Sequence, residues 1–400
     1  MMRILIVADS KSIHTARWIS QICDQTLDIH LFPSKDHGKA HENLKNTTVY
    51  HSFYCKGHVK NASVILRGFP VLHAEWVNRG IRFLKKYNPD YRIKRLKSII
   101  GKIKPDVIHS LEIQHAGYLT LSAKDNFNGE FPPWIVTNWG SDIYMFGLLA
   151  EHEPKIREVL KQCDYYSCEC YRDVELAKKY GFKGRVLPVF PNTGGFDLKL
   201  IFGMRKPGPT SDRRLIMLKG YQTWSGRALV GLRALERCVD MLNGYEIAIH
   251  SAGPQVLIAA ELFQATTGIP VTIIPPGTSH DEILKYHGRS RISIGLGISD
   301  AISTSLLEAL VMGSFPIQSW TACADEWIED GKTGILVPPE DPEIVEQAIR
   351  KALSDDDLVN TAAEINYKIT EERLDQDILG PMAVDIYDLV AGEKGKGNDV

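Results

Sequence analysis

Short runs of aliphatic and β-branched residues recur along the chain, each closing on Gly, Ser, Asp or His and each followed by apolar positions at helical spacing. The clearest are Arg3–Ala8, Asp106–His109, Trp134–Thr137, Arg185–Val189, Arg214–Leu218, Glu246–His250, Val271–Ile274 and Arg291–Leu296. Strands that are apolar at successive positions suit a parallel sheet covered by helices on both faces. Strand–helix alternation therefore predicts an α/β, doubly wound architecture. The pattern breaks over Phe190–Asp212, where Pro191, Gly194, Gly195, Pro207, Gly208 and Pro209 interrupt any regular element, and it restarts at Arg214. This predicts one domain over residues 1–195 and a second over 212–370. A last amphipathic helix is predicted over Glu371–Leu389, within a 371–391 segment expected to return to the first domain. Residues 392–400 read as a disordered tail. Two such domains facing across a cleft can hold two substrates between the carboxyl ends of their strands.

A chain of 400 residues exceeds what one hydrophobic core supports, which agrees with two domains. The formal net charge of −2 leaves no chain-wide footprint for nucleic acid. No stretch of about 18 apolar residues occurs, and the start MMRILIVADS reads as a first buried strand, not a signal peptide. The seven cysteines are scattered and lack C-x-x-C spacing, so reduced thiols in the cytoplasm are expected. Cys168 and Cys170 alternate beside Tyr165 and Tyr166, as two inward-facing strand residues would.

The chemistry concentrates in Arg291–Pro339. A strand ending in Gly295-Leu296-Gly297 leads through Asp300 to a helix starting near Ser303, whose buried face carries Leu306, Leu307, Leu310 and Val311. Glu308 points more than a quarter turn away from that face, and shares a polar face with Thr304 one turn earlier. Ser303 and Thr304 sit at a helix N-terminus, which attracts phosphate. The bland alternative is a solvated Glu308 and a plain N-cap at Ser303. The third glycine of a nicotinamide fingerprint is missing, because position 300 is Asp. Earlier in this half, a strand closes on Lys219-Gly220, and Gly226-Arg227 opens the next helix. Two cations there suit a diphosphate leaving group, although cations at loop edges can equally be solvated. Asp355-Asp356-Asp357 contains D-x-D but falls in a turn between two predicted helices, so no metal site is expected.

Asp300 and Glu308, eight apart and followed by Ala309-Leu310-Val311-Met312-Gly313-Ser314-Phe315-Pro316-Ile317, resemble the E-x7-E segment of the family 4 retaining glycosyltransferases (glycosyl transferases group 1). The likeness continues through Glu326, Gly331, Thr333-Gly334, Leu336, Val337-Pro338 and Asp341, roughly fifty contiguous residues in all. It implies the GT-B fold, two doubly wound Rossmann-like domains facing across a cleft, with an acceptor-side first domain and a donor-binding second one. By this resemblance Glu308 holds the donor's ribose hydroxyls, and Asp300 contacts the transferred sugar. Asp300 stands where the family has Glu, one methylene longer. Lys219 and Arg227, with Gly220, Ser303 and Thr304, correspond to the diphosphate site, although the family usually has Arg before Lys. In the first domain, Ser10-Lys11-Ser12-Ile13-His14 follows the first strand where the family has a Gly-Gly loop and then a His. Asp106-Val107-Ile108-His109 resembles the family's D-V-I-H strand end. Trp134–Asp142 resembles V-x-T-x-H-G-S-D, with Trp139 in the His position and Asp142 retained. His14 joins the donor-contacting set, and His109 and Asp142 the catalytic set with Lys219 and Asp300. For both histidines a structural role is the alternative. GT-B enzymes generally use no metal, and no cofactor is expected beyond the nucleotide sugar.

Finally, Arg79–Lys104 holds ten Lys or Arg against one acid, Asp90, with Trp76, Phe83, Tyr87 and Tyr91 interleaved or adjacent. This asymmetry reads either as a solvated helical face or as peripheral contact with an anionic membrane. The combined expectation is a glycosyltransferase moving a sugar from a UDP- or GDP-sugar to a glycan or lipid-linked hydroxyl, with retention, at the inner face of the membrane. The rivals are a non-hydrolysing nucleotide-sugar epimerase of the same fold and a non-catalytic sugar- or surface-binding relative.

Overall fold

A computed structural model describes residues 1–23, 27–55 and 61–396, with the backbone alone for 394–396. The chain divides into two compact units, one formed by residues up to Gly194 together with those from Asp377 onward, the other by Gly195–Gln376.

Unit 1 opens with β1 (Met2–Ala8), α1 (Ile13–Ile22), β2 (Leu27–Pro33), β3 (Thr47–Cys55) and β4 (Val64–Val71). Two basic helices follow, α2 (Ala74–Tyr87) and α3 (Tyr91–Ile103). The unit continues with β5 (Val107–Leu111), α4 (Tyr118–Asp125), β6 (Trp134–Thr137), α5 (Glu153–Gln162), β7 (Tyr165–Ser167), α6 (Tyr171–Lys179) and β8 (Arg185–Val186). The strands form one sheet in the order β4-β3-β2-β1-β5-β6-β7-β8, and the paired strands run parallel. Both faces are buried. Ile4, Ile6 and Ala8 pack into one cluster and Leu5 and Val7 into another, all fully enclosed. This double burial is why β1 reads as a continuous apolar run.

Unit 2 runs α7 (Leu198–Phe202), β9 (Leu215–Lys219), α8 (Ala228–Arg237), β10 (Glu246–His250), α9 (Pro254–Thr267), β11 (Val271–Ile273), α10 (His280–Arg289) and β12 (Ser290–Gly295). It ends with α11 (Thr304–Met312), β13 (Phe315–Ser319), β14 (Ile335–Val337), α12 (Pro342–Ser354) and α13 (Asp356–Arg373). Its parallel sheet has the order β11-β10-β9-β12-β13-β14. Asp355 caps α13 by accepting from the Leu358 N–H at 2.9 Å, and Asp356 pairs with Arg291 at 2.7 Å. The tripeptide therefore opens α13, with Asp355 as its N-cap and Asp356 in its first turn.

The end of the chain departs from expectation. The predicted helix over Glu371–Leu389 is broken at Leu374 and Asp375, between α13 and α14 (Gln376–Lys396). Phe196 fixes this break, donating its N–H to the Leu374 carbonyl and accepting from the Gln376 N–H, at 2.7 and 3.0 Å. The expected tail begins too early as well. Residues 392–396 are helical, and Glu393 accepts from the Tyr165 hydroxyl at 2.8 Å and pairs with Arg185. Residues 397–400 lie outside the described residues. β7 stops at Ser167, so Cys168 and Cys170 are not strand residues, although both are buried, as are all seven cysteines. β8 covers only Arg185–Val186 of the longer strand expected there.

Candidate functional site

A doubly wound parallel sheet opens a crevice where its winding reverses, outside the carboxyl ends of the two strands concerned. In unit 2 these strands are β9 and β12. Lys219 is the last residue of β9, and Gly295 is the last of β12. A pocket at this point is lined by Lys219, Tyr221, Ser225, Gly226, Gly295, Gly297, Ser299, Asp300, Ser303 and Gln318, among others. The Lys219 ammonium donates to Ser303 Oγ at 3.1 Å, stands 3.8 Å from Asp300 Oδ2, and lies 4.7 Å from the centre of the Tyr221 ring. Ser303 is the N-cap of α11, yet its hydroxyl makes no bond to that helix's N–H groups. A fixed cation and a helix N-terminus therefore converge on one small volume, which is the arrangement that binds a phosphate-bearing group.

One turn into α11, Glu308 is buried, not solvated: only 5% of it is exposed. Its carboxylate meets His280 Nε2 at 2.8 Å through one oxygen and His287 Nε2 at 3.5 Å through the other. Burial works to raise its pKa, but the hydrogen bonds from His280 and His287 outweigh that and hold it well below the usual carboxylate range. The chain of polar contacts continues from His287 Nδ1 to Ser293 Oγ at 2.9 Å, and on to Ser314 Oγ at 2.8 Å. Thr304 and Glu308 do share a polar face, as the wheel predicts, but α10 covers part of it with two histidines that the sequence reading did not single out.

Two further expected donor-site residues are engaged in other contacts. The Arg227 guanidinium is bonded to Glu340 at 2.7 Å and to the Trp224 and Gly226 carbonyls, and the structure does not bring it to Lys219. An acid on the approach to α12 holds it instead. Gly220 is a packing residue. A Cβ at that position would lie 2.8 Å from both the Ala252 Cα and the His250 carbonyl oxygen, so close strand-end packing is what requires glycine there.

In unit 1 the winding reverses between β1 and β5. Ser12 caps α1, accepting from the His14 N–H at 3.2 Å, and the His14 ring lies 5.7 Å from the Trp139 ring. The structure thus brings these two together. Asp142 stands behind them, with one carboxylate oxygen accepting from the Ile113 N–H at 2.9 Å and the Trp139 N–H at 3.1 Å. Burial, aided by nearby Glu112, pushes its pKa up to about 8. These bonds make Asp142 a brace of the loop after β6.

His109 does not fit the catalytic set it was expected to join. It is fully enclosed, with Nδ1 2.7 Å from the Tyr387 hydroxyl and Nε2 2.6 Å from Thr137 Oγ1. Burial drives its pKa down to about 3, so the ring is neutral and held from both sides. It ties β5 to α14 and is not exposed to a substrate. Glu112, which the sequence reading passed over, follows β5 with φ of 86°, a strained conformation for a residue with a Cβ. It accepts from Ser34 Oγ at 3.1 Å and lies 3.3 Å from His115 Nδ1. Nothing in the local pattern distinguishes it, because the signal is in the backbone.

Two family models match the chain, one in each unit. Residues 3–165 match the model described as Glycosyl transferase 4-like, and residues 259–369 match that described as Glycosyl transferases group 1. The solved structures similar to this chain include sucrose-phosphate synthase from Thermosynechococcus elongatus, with TM-score 0.70 at 12% identity over 98% of this chain and 100% of that one. They also include Anabaena HepE in complex with UDP-glucose, with TM-score 0.66 at 13% identity over 97% and 100%. A glycosyltransferase from Rickettsia africae has TM-score 0.65 at 15% identity over 97% and 98%. No protein of curated function matches the chain in sequence. The fold is GT-B. The chain is a glycosyltransferase, carrying a glycosyl transferases group 1 domain in its second unit.

Proposed function

We propose that this enzyme transfers a glycosyl group from a UDP- or GDP-sugar to an acceptor hydroxyl, with retention, in the synthesis of a glycan, lipopolysaccharide or polysaccharide. The observation that carries the reading is the convergence of Lys219, Asp300 and the α11 N-terminus at the β9/β12 reversal, with Glu308 one turn deeper. Similar structures have been solved with UDP-glucose and with UDP and glucose together, which supports a nucleotide sugar as donor.

In this reading the Lys219 ammonium and the first-turn N–H groups of α11 receive the donor diphosphate. Glu308, ionised and steadied by His280, accepts from the ribose hydroxyls, and Asp300 orients the sugar. The bond from the anomeric carbon to the phosphate oxygen breaks as the bond to the acceptor oxygen forms. Negative charge builds on the departing diphosphate, where fixed donors stabilise it most, and that differential stabilisation is the main rate contribution. The acceptor proton passes to the departing phosphate, so no side chain is assigned as general base. The acceptor is a glycan or lipid-linked hydroxyl met at the cytoplasmic side of a membrane.

The test is a thermal-shift series with UDP, GDP, ADP and NAD on the wild type and on Glu308→Ala. A nucleoside diphosphate at ~100 times its dissociation constant stabilises by roughly 2.7 kcal/mol, a rise of a few degrees. A shift with UDP or GDP that is lost in the variant supports the donor site and names the base. A response to NAD alone, or to none of the four, overturns the reading. Turnover of the sugar nucleotide without an acceptor would point to an epimerase instead.

A further inference from the structure

We propose that the exposed face of α2, with the adjoining edge strand β4, is a docking surface for an anionic lipid bilayer. The sequence alone presents the basic run Arg79–Lys104 as one feature, but the structure divides it. On α3, Arg92 donates to the Pro33 carbonyl and Arg95 to the His51 carbonyl, so these two cations are engaged in holding α3 to the strands. On α2, Arg79, Arg82, Lys85 and Lys86 are all exposed, against the single acid Glu75. Arg67 on β4 is exposed as well.

Aromatic residues stand among these cations. Val77 and Ile81 turn inward to Cys55, Phe53 and Val71, which fixes which side of α2 faces the protein. Trp76, Phe83 and Tyr87 are 54%, 63% and 66% exposed, and at 100° per residue they fall within about 40° of one another along the helix. Phe83 and Tyr87 touch, with centroids 4.7 Å apart, while Arg79 lies over Trp76 at 5.0 Å and Lys86 over Tyr87 at 5.3 Å. Phe69 on β4 and Leu72 just after it extend the apolar surface, 64% and 80% exposed.

A water-facing stripe of large aromatics is unfavourable, and a flanking row of cations repels itself. One environment relieves both, namely the headgroup layer of an anionic bilayer, where aromatic rings sit at the interface and cations meet lipid phosphates. No helix among the described residues is long and apolar enough to cross a membrane, so contact through α2 is peripheral. A single helix offers no groove to track a nucleic-acid backbone, which sets this surface apart from single-strand binders.

The experiment is sedimentation of the full chain with vesicles of phosphatidylcholine alone and with ~30 mol% phosphatidylglycerol added, at low and high salt. Binding is expected only to the anionic vesicles, falling at least ~10-fold in high salt. Two variants, Trp76→Ala/Phe83→Ala/Tyr87→Ala and Arg79→Glu/Arg82→Glu/Lys85→Glu/Lys86→Glu, should each lower it by ~10-fold or more. Both alter only exposed side chains, and an unchanged melting midpoint shows that the fold is kept. Reversing the charge of Lys94, Lys102 and Lys104 should leave binding nearly intact. The proposal fails if the wild type ignores anionic vesicles, if it binds neutral ones equally, if folded variants of α2 bind as the wild type does, or if the Lys94/Lys102/Lys104 reversal abolishes binding equally.

Discussion

At the scale of single residues, Lys219 and Arg227 separate two cations that sequence spacing alone treats as a pair. Lys219 reaches the pocket and bonds Ser303, while Arg227 is turned to Glu340. Lys219→Ala should therefore lower kcat by roughly 100- to 1,000-fold, the cost of losing one donor to a leaving group, and leave the melting midpoint nearly unchanged. Arg227→Ala should cost less than ~10-fold. Initial rates of transfer from a UDP- or GDP-sugar decide it, and equal losses in the two variants would mean that Arg227 swings into the site when donor binds. Both residues were visible in the sequence as cations at strand and helix ends, because that position follows from local punctuation. Ser303, 84 residues from Lys219, was joined to it only through the family resemblance, and Glu340, 113 residues from Arg227, was not foreseen at all. Glu308 shows the same division. Its place on the polar face of α11 could be read from a helical wheel, but its burial depends on α10 packing against that face with His280 and His287, a tertiary contact with no local signature.

At the scale of elements, the strands legible in advance were those whose apolar runs end on a clear breaker, the edge strands β8 and β11 among them. β2, β3 and β4 escaped because their residues mix polar and aromatic side chains, as in Thr47-Thr48-Val49-Tyr50, and β4 is an edge strand largely facing water. The break before α14 escaped because it is imposed by Phe196, far away in the chain. α14 matters to unit 1 through Leu379, Ala383, Ile386, Tyr387 and Val390, which cover the sheet face carrying Ile4, Ile6 and Ala8. Its Tyr387 hydroxyl accepts from Trp18 Nε1 at 2.8 Å and meets His109 Nδ1 at 2.7 Å. Tyr387→Phe keeps the ring's packing and strands both of those buried groups. The expected loss is about 1–3 kcal/mol per unpaired group, measured by urea unfolding at neutral pH. A loss under ~0.5 kcal/mol would show that water reaches the site and that the α14 contact is packing alone.

At the scale of the whole molecule, the same buried histidines set how stability responds to acid. Burial lowers His51 to about 4, and His109 and His250 to about 3, so all three stay neutral in the folded chain well below pH 6.5. Unfolding returns each to an ordinary imidazole that binds a proton below about 6.5, so the unfolded state binds more protons and stability falls as pH falls through this window. Asp142 works the other way. Its folded value of about 8 lies above the unfolded one, so the folded chain holds that proton, and its contribution grows as pH falls from about 8 toward 4. At about 1.4 kcal/mol per proton per pH unit, these three histidines set against Asp142 lose roughly 3 kcal/mol between pH 7 and 5, a loss that Asp173, also raised by burial, reduces. Below the ordinary carboxylate range Glu308 adds to the loss, because its folded pKa is depressed and its stabilisation disappears as it protonates. Urea unfolding across this range measures the slope directly. His51 is the residue to change, because it is fully buried and neither ring nitrogen has a hydrogen-bond partner among the described residues. His51→Phe should flatten the slope between pH 6 and 5 by close to one proton. An unchanged slope would mean that His51 is already protonated or hydrated in the folded chain, and that it contributes nothing to the acid sensitivity of unit 1.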